Sequence, residues 1–489
     1  MRWLIKTDSV IHFLQETLQK SAKLSAFRAD LNSEESHQIS FFDDFEDHIF
    51  KQKACLIKQD DSFYWISPEQ THHLLPQLPK FAHHIEDEDI AEQLNKVVGA
   101  RKLGLQKNIL VTRQQWVLRD NEGKVILRLT ATCDSQHCLL TATALRGYEK
   151  QARSFAKQMP TDNEITEIAP DYHLLLAHSG FTPTTYSLSL KFNLTADMPP
   201  EQAVHQYAYT YFNLARENEA GILAHNDDIE FLHDYRVAIR KIRGLISLFK
   251  KQLPKTLISE LQQELAFLAK KTNELRDLDV YLHNKKSFFN RLDTNHQKGL
   301  EQLFSAFEAR QRGCRRELKS WLSSQNYQQK VDHIYHLISC LLQIDSQQSI
   351  QPCLQKLLRK NYKKVLATGQ SIHAKSPDEE VHELRLSCKK LRYLTEYMQQ
   401  LPAAQAASQI QKKLKKLQNS LGDFNDNSVQ QNKLRQFAEN APATAAQAAI
   451  MLAETYASEQ KSVRKKIQKQ FAEFAKADTQ QLVKQLSQA

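Results

Sequence analysis

Glycine is scarce in this 489-residue chain, at 11 residues, and proline contributes only 13. That scarcity excludes long flexible linkers and favours helices. No stretch of ~18 consecutive apolar residues occurs, so no membrane span is expected. Residues 1–8 hold no apolar run of signal-peptide length, and Asp8 interrupts them further. The cysteines number seven (55, 133, 138, 314, 340, 353 and 388), an odd and scattered set. Such a set reads as reduced intracellular thiols and not as a disulfide framework. A cytoplasmic location is therefore expected.

What is abundant is charge, unevenly placed. Residues 1–200 carry 22 Lys+Arg against 26 Asp+Glu, a net of −4. Subtracting these from 66 and 56 leaves 44 against 30 in residues 201–489, a net of +14. The basic excess thus belongs to the C-terminal part. It would concentrate anionic partners there, whether nucleic acid, anionic membrane or polyphosphate, and composition does not choose among them.

Periodicity divides the chain at the same place. Residues 1–195 read as mixed α and β, with a short helix over 10–20 and alternating, strand-like segments after it. A hairpin is expected at residues 116–129, turning at Asp120-Asn121-Glu122-Gly123, with further strands at 138–145 and 186–192. Hairpin-linked strands suggest an antiparallel, barrel-like sheet. At Met198-Pro199-Pro200 the pattern becomes helical and remains so to about residue 486. The expected architecture is an α+β domain over 1–195, followed by an all-α domain over 198–489.

The second domain repeats itself. His233-Asp-Tyr-Arg236-Val-Ala-Ile-Arg240-Lys241-Ile-Arg243 matches His382-Glu-Leu-Arg385-Leu-Ser-Cys-Lys389-Lys390-Leu-Arg392, at an offset of 382 − 233 = 149. The offset also carries Leu268 to Leu417, Arg276 to Asn425 and Asp277 to Asp426. It carries Asp227 to Ser376 and Glu230 to Glu379, both pairs at capping-box spacing. Two halves, at about 200–345 and 350–489, follow from an internal duplication.

On a helix, His233, Arg236, Arg240 and Arg243 fall within a stripe about 80° wide, as do His382, Arg385, Lys389 and Arg392. Val237, Ile239 and Ile242 lie off the first stripe, and Leu386 and Leu391 off the second, where they can face a core. Like charges one turn apart repel by about a few tenths of a kcal/mol per pair, a cost that an anionic ligand would remove. Arginine suits that task because its planar fork holds two phosphate oxygens. A single basic stripe is most often just a solvated face; two at identical spacing, each led by histidine, favour a binding surface. A second helix in each half adds cations: Lys412, Lys413 and Lys416, with Lys415 among them, extend the candidate site in the second half, and Lys270 and Lys271 stand on the corresponding helix of the first. Asp277 and Asp426 are each expected to pair with a cation of their own stripe. No partner acid or metal cluster accompanies them that would make either catalytic.

These motifs, with Leu275-Arg276-Asp277-Leu278-Asp279-Val280 and the second copy's Leu421-Gly422 and Asn425-Asp426, resemble the CHAD domain, the conserved histidine α-helical domain. The resemblance spans residues 200–489. It implies two helical bundles related by a pseudo-twofold axis and a basic central surface that binds inorganic polyphosphate. Residues 1–195 resemble a degenerate CYTH domain, the triphosphate tunnel barrel that often precedes CHAD. The similarity lies in Phe41-Phe42-Asp43-Asp44 and in Leu145-Arg146-Gly147-Tyr148-Glu149-Lys150. That family's Glu-x-Glu-x-Lys signature is replaced by Arg2-Trp3-Leu4-Ile5-Lys6, and its later acidic strand by Thr141-Ala142-Thr143-Ala144-Leu145, so the metal-holding carboxylates are missing. No triphosphatase activity is expected.

The expectation is a non-enzymatic, cofactor-free polyphosphate-binding protein, with polyphosphate granules as a site of recruitment. A triphosphatase or polyphosphatase is the enzymatic alternative, and nucleic-acid binding the third, disfavoured because only Tyr235 and Tyr393 accompany the stripes for base stacking. His72-His73 and His83-His84 lack standard metal-ligand spacing, as do Cys133, His137 and Cys138, so no metal site is assigned.

Overall fold

Alternating apolar and polar residues in the first 145 positions form strands, and the helix-periodic remainder forms helices. The structure is a computed structural model; it describes all residues except 1, 7–8, 21–24, 68–70, 75–76, 136, 159–170, 225–226, 347, 374, 402–403 and 489. The side chains of Lys6, His72 and His73, together with Pro402, lie outside the described residues. The chain divides into two compact units, Met1–Ser187 and Leu188–Ala489.

In the first unit, eight strands form one antiparallel sheet: β1 (Arg2–Lys6), β2 (Arg28–Asp43), β3 (Cys55–Gln59), β4 (Ser62–Ile66), β5 (Thr71–Leu74), β6 (Gly104–Arg119), β7 (Val125–Cys133) and β8 (His137–Ala144). Their order is β1-β8-β7-β6-β2-β3-β4-β5. Among the described residues β1 and β5 do not pair, so the sheet is open and the expected barrel-like closure does not occur. Ile109 and Val111 bury one face beneath α5 (Asp171–His178), while Trp116 and Leu118 bury the other face beneath α1 (Val10–Lys20) and α4 (Glu149–Gln158). Different helices thus cover the two faces of β6. A further cluster packs α2 (His48–Lys51) and α3 (Glu88–Val98) onto Leu56 and Trp65.

Two further expectations fail in this unit or at its end. Cys133 and Cys138 are joined by a disulfide, because the β7–β8 register sets them directly opposite; the other five cysteines are thiols. Residues 186–192 form no strand. Their alternation serves the helices instead: Phe192 stacks on Tyr207 at 5.0 Å, and the Leu188 carbonyl accepts from Lys241 Nζ at 2.8 Å. Asp43 and Asp44 fold a loop. The Asp43 carboxylate accepts the backbone N–H groups of Asp44, Ile49 and Phe50, and Asp44 accepts those of Glu46 and His48. Burial pushes the Asp43 carboxyl up to about 7.

The second unit is helical: α6 (Pro200–Ala224), α7 (Glu230–Phe249), α8 (Lys255–Lys271), α9 (Asn273–His283), α10 (Lys285–Phe289), α11 (Gln297–Leu322), α12 (Gln325–Ser339), α13 (Ile350–Ser371), α14 (Asp378–Met398), α15 (Ala404–Ala438), α16 (Ala443–Phe474) and α17 (Ala477–Leu486). At the 149-residue offset, α6 falls on α13, α7 on α14, α11 on α16 and α12 on α17. One copy has broken a helix that the other keeps whole, since α8 and α9 together correspond to α15. The break lies at Thr272, whose hydroxyl bonds back to the Ala269 carbonyl at 2.9 Å and accepts from Arg236 at 2.7 Å. The capping boxes expected before α7 and α14 are displaced: Asp228 accepts the Glu230 N–H at 2.9 Å, and Ser376 bonds within its own turn to His373 and Ser371. The halves meet through α7 against α14 and α11 against α16.

Candidate functional site

The apolar side of α7 buries Tyr235, Ala238, Ile239, Ile242, Leu245 and Ile246; that of α14 buries Leu384, Cys388, Leu391 and Leu394. Burying those faces fixes the rotation of each helix, so the opposite stripes have no choice but to face out. Val237 is only partly buried, and Leu386 is 45% exposed, so it does not face the core as expected.

The two helices approach closely where Gly244 meets Tyr393. A β-carbon on Gly244 would lie 2.6 Å from the Tyr393 ring. Since 244 + 149 = 393, these positions are equivalent under the duplication. Equivalent positions of the two halves thus meet each other, and the close approach leaves no room for a side chain at position 244 beside the Tyr393 ring.

This approach brings the stripes together. Arg240 of the first half lies within electrostatic reach of Arg385 and Lys389 of the second. Burial, then Arg385, Arg240 and Arg392, push the Lys389 ammonium down to about 8, with Asp426 opposing. Burial also lowers Arg236 and Arg385, and neighbouring arginines add to the effect in both. Among the described residues Arg240, Arg243, Arg385 and Lys389 make no ion pair or hydrogen bond. Arg236 is held by the Ala269 carbonyl at 3.0 Å and by Thr272; Arg392 lies 3.5 Å from Glu396 and over the Tyr393 ring. The result is a cationic ridge shared by both halves, with Asp277 and Asp426 near it but bonded to none of its cations.

The histidines flank this ridge at the helix starts. His382 Nδ1 lies 3.1 Å from Asn425 Oδ1. His233 forms, with Glu230 and Asp234, the one group of three potential metal ligands among the described residues, their atoms within 4.8 Å of one another. Arg276 already donates toward Glu230, at 3.4 Å, and its positive charge opposes a cation there. Lys241 is turned inward, donating to the Leu188 carbonyl and the Tyr211 hydroxyl at 2.8 Å each. Lys390 lies within electrostatic reach of a different set of lysines, Lys364, Lys250 and Lys360.

The later lysines are dispersed. Lys413 pairs with Asp478 of α17. The flank of α15 that meets α14 is marked by Gln411, Gln418 and Asn425, which contact Gln399, Cys388 and His382. Lys412 and Lys416 are exposed about 100° and 140° round the helix from Gln411, whereas Lys415 lies only about 40° away. The seven-residue spacing of 411, 418 and 425 is the sequence signal that would have selected Lys415. Asp277 pairs with Lys433 of the other half and not with its own stripe, although it lies within electrostatic reach of Arg236. Asp426 likewise reaches Arg385 and Lys389 only through space.

The family model of the CHAD domain matches residues 206–435. The crystal structure of the CHAD domain from the plant Ricinus communis is similar, with a TM-score of 0.50 and 22% identity, covering 58% of this chain and 95% of that one. PptA from Streptomyces chartreusis aligns at a TM-score of 0.42 and 16% identity, over 56% of this chain and 100% of that one. No curated protein matches the chain. Residues 206–435 therefore form a CHAD domain, the family match leaves the sheet unit unassigned, and no helix among the described residues is long and apolar enough to cross a membrane.

Proposed function

We propose, from the premise that residues 206–435 form a CHAD domain, that the chain binds inorganic polyphosphate along the ridge between α7 and α14, as a non-catalytic protein recruited to polyphosphate granules. One observation carries this reading: Arg240 of one half shares a field with Arg385 and Lys389 of the other, and among the described residues none of the three is bonded to an acid, Asp426 reaching Arg385 and Lys389 only through space. Gathered cations without counter-charges are stabilised by a ligand that brings several negative groups at fixed spacing. Tyr235 and Tyr393 are 1% and 8% exposed, so neither offers a face for base stacking, which favours a chain of bare phosphates over a nucleic acid. The non-catalytic reading rests on the sequence of β8, where Thr141 and Thr143 stand on the face opposite Cys138, Leu140 and Ala142 without a carboxylate among them.

The test is the pair Arg240→Glu with Lys389→Glu, one position from each half. Two charge-assisted contacts at about 1.5 kcal/mol each predict a loss on the order of 100-fold in affinity for long-chain polyphosphate. Unchanged affinity at physiological salt would remove the ridge as the site. The same preparation, assayed with Mg²⁺ and tripolyphosphate, is expected to release no phosphate.

A further inference from the structure

The charge on α13 is not required by the fold. This 22-residue helix carries Lys356, Arg359, Lys360, Lys363 and Lys364 and no acidic residue. All five are exposed, within an arc of about 140°. Its equivalent, α6, holds the same place in the first half with Glu201, Glu217 and Glu219 against the single Arg216. The duplication has thus kept its ridge in both copies and a basic outer helix in only one.

The surroundings add cations to this face. Lys390 follows Lys389 on α14 and points about 100° away from it. Burial lowers its ammonium pKa, and Lys364, Lys250 and Lys360 lower it further. The equivalent residue in the first half, Lys241, is instead anchored on Leu188 and Tyr211. Lys364 is paired with Glu383 at 3.0 Å, and among the described residues no other ion pair engages these cations. Because Lys389 belongs to the ridge and Lys390 to this face, the two cationic surfaces adjoin across one side of α14.

We propose that the α13 face is a second, one-sided segment of the polyanion site, engaged only by polyphosphate chains that overrun the ridge; this rests on the reading of the ridge given above. A chain already held on the ridge presents its continuation to α13 at high effective concentration, so the extra lysines add affinity without an independent site. Short chains end before reaching it.

The test uses the full chain and two probes, tripolyphosphate and long-chain polyphosphate, with the triple variant Lys356→Glu, Lys360→Glu and Lys363→Glu. Long-chain affinity is expected to fall at least tenfold, and the slope of log K against log[salt] to become shallower by about 2, at about 0.7 per lost phosphate contact. Tripolyphosphate binding is expected to stay as in the unaltered protein. Unchanged long-chain affinity overturns the proposal, and so does an equal loss for both probes, which would make α13 a source of general field and not a segment of the path. Failure of the ridge reading shows elsewhere, as tripolyphosphate affinity that survives Arg240→Glu with Lys389→Glu.

Discussion

At Lys389 the cost of gathering cations is carried by one titrating group. Its ammonium is pushed down to about 8 from an ordinary 10.5, by burial first and by Arg385, Arg240 and Arg392 after it. In the folded protein Lys389 therefore loses its proton at a lower pH than in the unfolded chain. Its penalty on folding is present below about 8 and is relieved as pH rises toward 10.5. Binding reverses the sign, because phosphates beside Lys389 favour its charged form. Polyphosphate binding near pH 8 should take up protons, and affinity should fall as pH rises through that value. Titration calorimetry in two buffers of different ionisation enthalpy measures the uptake. Lys389→Arg should abolish it while keeping affinity; uptake that persists in this variant would place the titrating group elsewhere. The residue types at the ridge were legible from the repeat, but the inward turn of Lys241 and the Lys413–Asp478 pair were not, since each depends on a neighbour distant in sequence.

The elements that place the ridge are α7 and α14, and their approach depends on Gly244. A β-carbon there meets the buried Tyr393 ring at 2.6 Å, so Gly244→Ala forces the helices apart or the ring out of place. Overpacking of this kind costs about 1–3 kcal/mol, which chemical denaturation would register as a lower midpoint at unchanged slope. Tyr393→Leu in the same chain should recover most of the loss. If Gly244→Ala is neutral, the helices do not meet at this pair. Helix periodicity predicted both elements, and the offset of 149 paired them. It could not say that positions 244 and 393 face each other, because equivalence in sequence does not specify which equivalent positions meet. The same limit applies to the strands. Alternation located β6, β7 and β8 but not the open sheet, because which strands pair is settled between segments far apart in the chain.

For the whole molecule, the charge asymmetry predicts how binding responds to salt. Six ridge cations (Arg236, Arg240, Arg243, Arg385, Lys389 and Arg392) imply a slope of log K on log[salt] of about −4 for a short polyphosphate that spans them, at about 0.7 per phosphate. A slope shallower than about −1 would mean that charge is not what holds the ligand. The sequence by itself determined the duplication, the helical class of the C-terminal part, the basic excess there, and the two stripes, because each is a matter of composition and local period. Only the tertiary structure decided that the stripes converge, that β7 and β8 are linked through Cys133 and Cys138, and that residues 186–192 serve helices and not a sheet. Those outcomes depend on which surfaces are buried against which, and burial is settled between segments far apart in the chain.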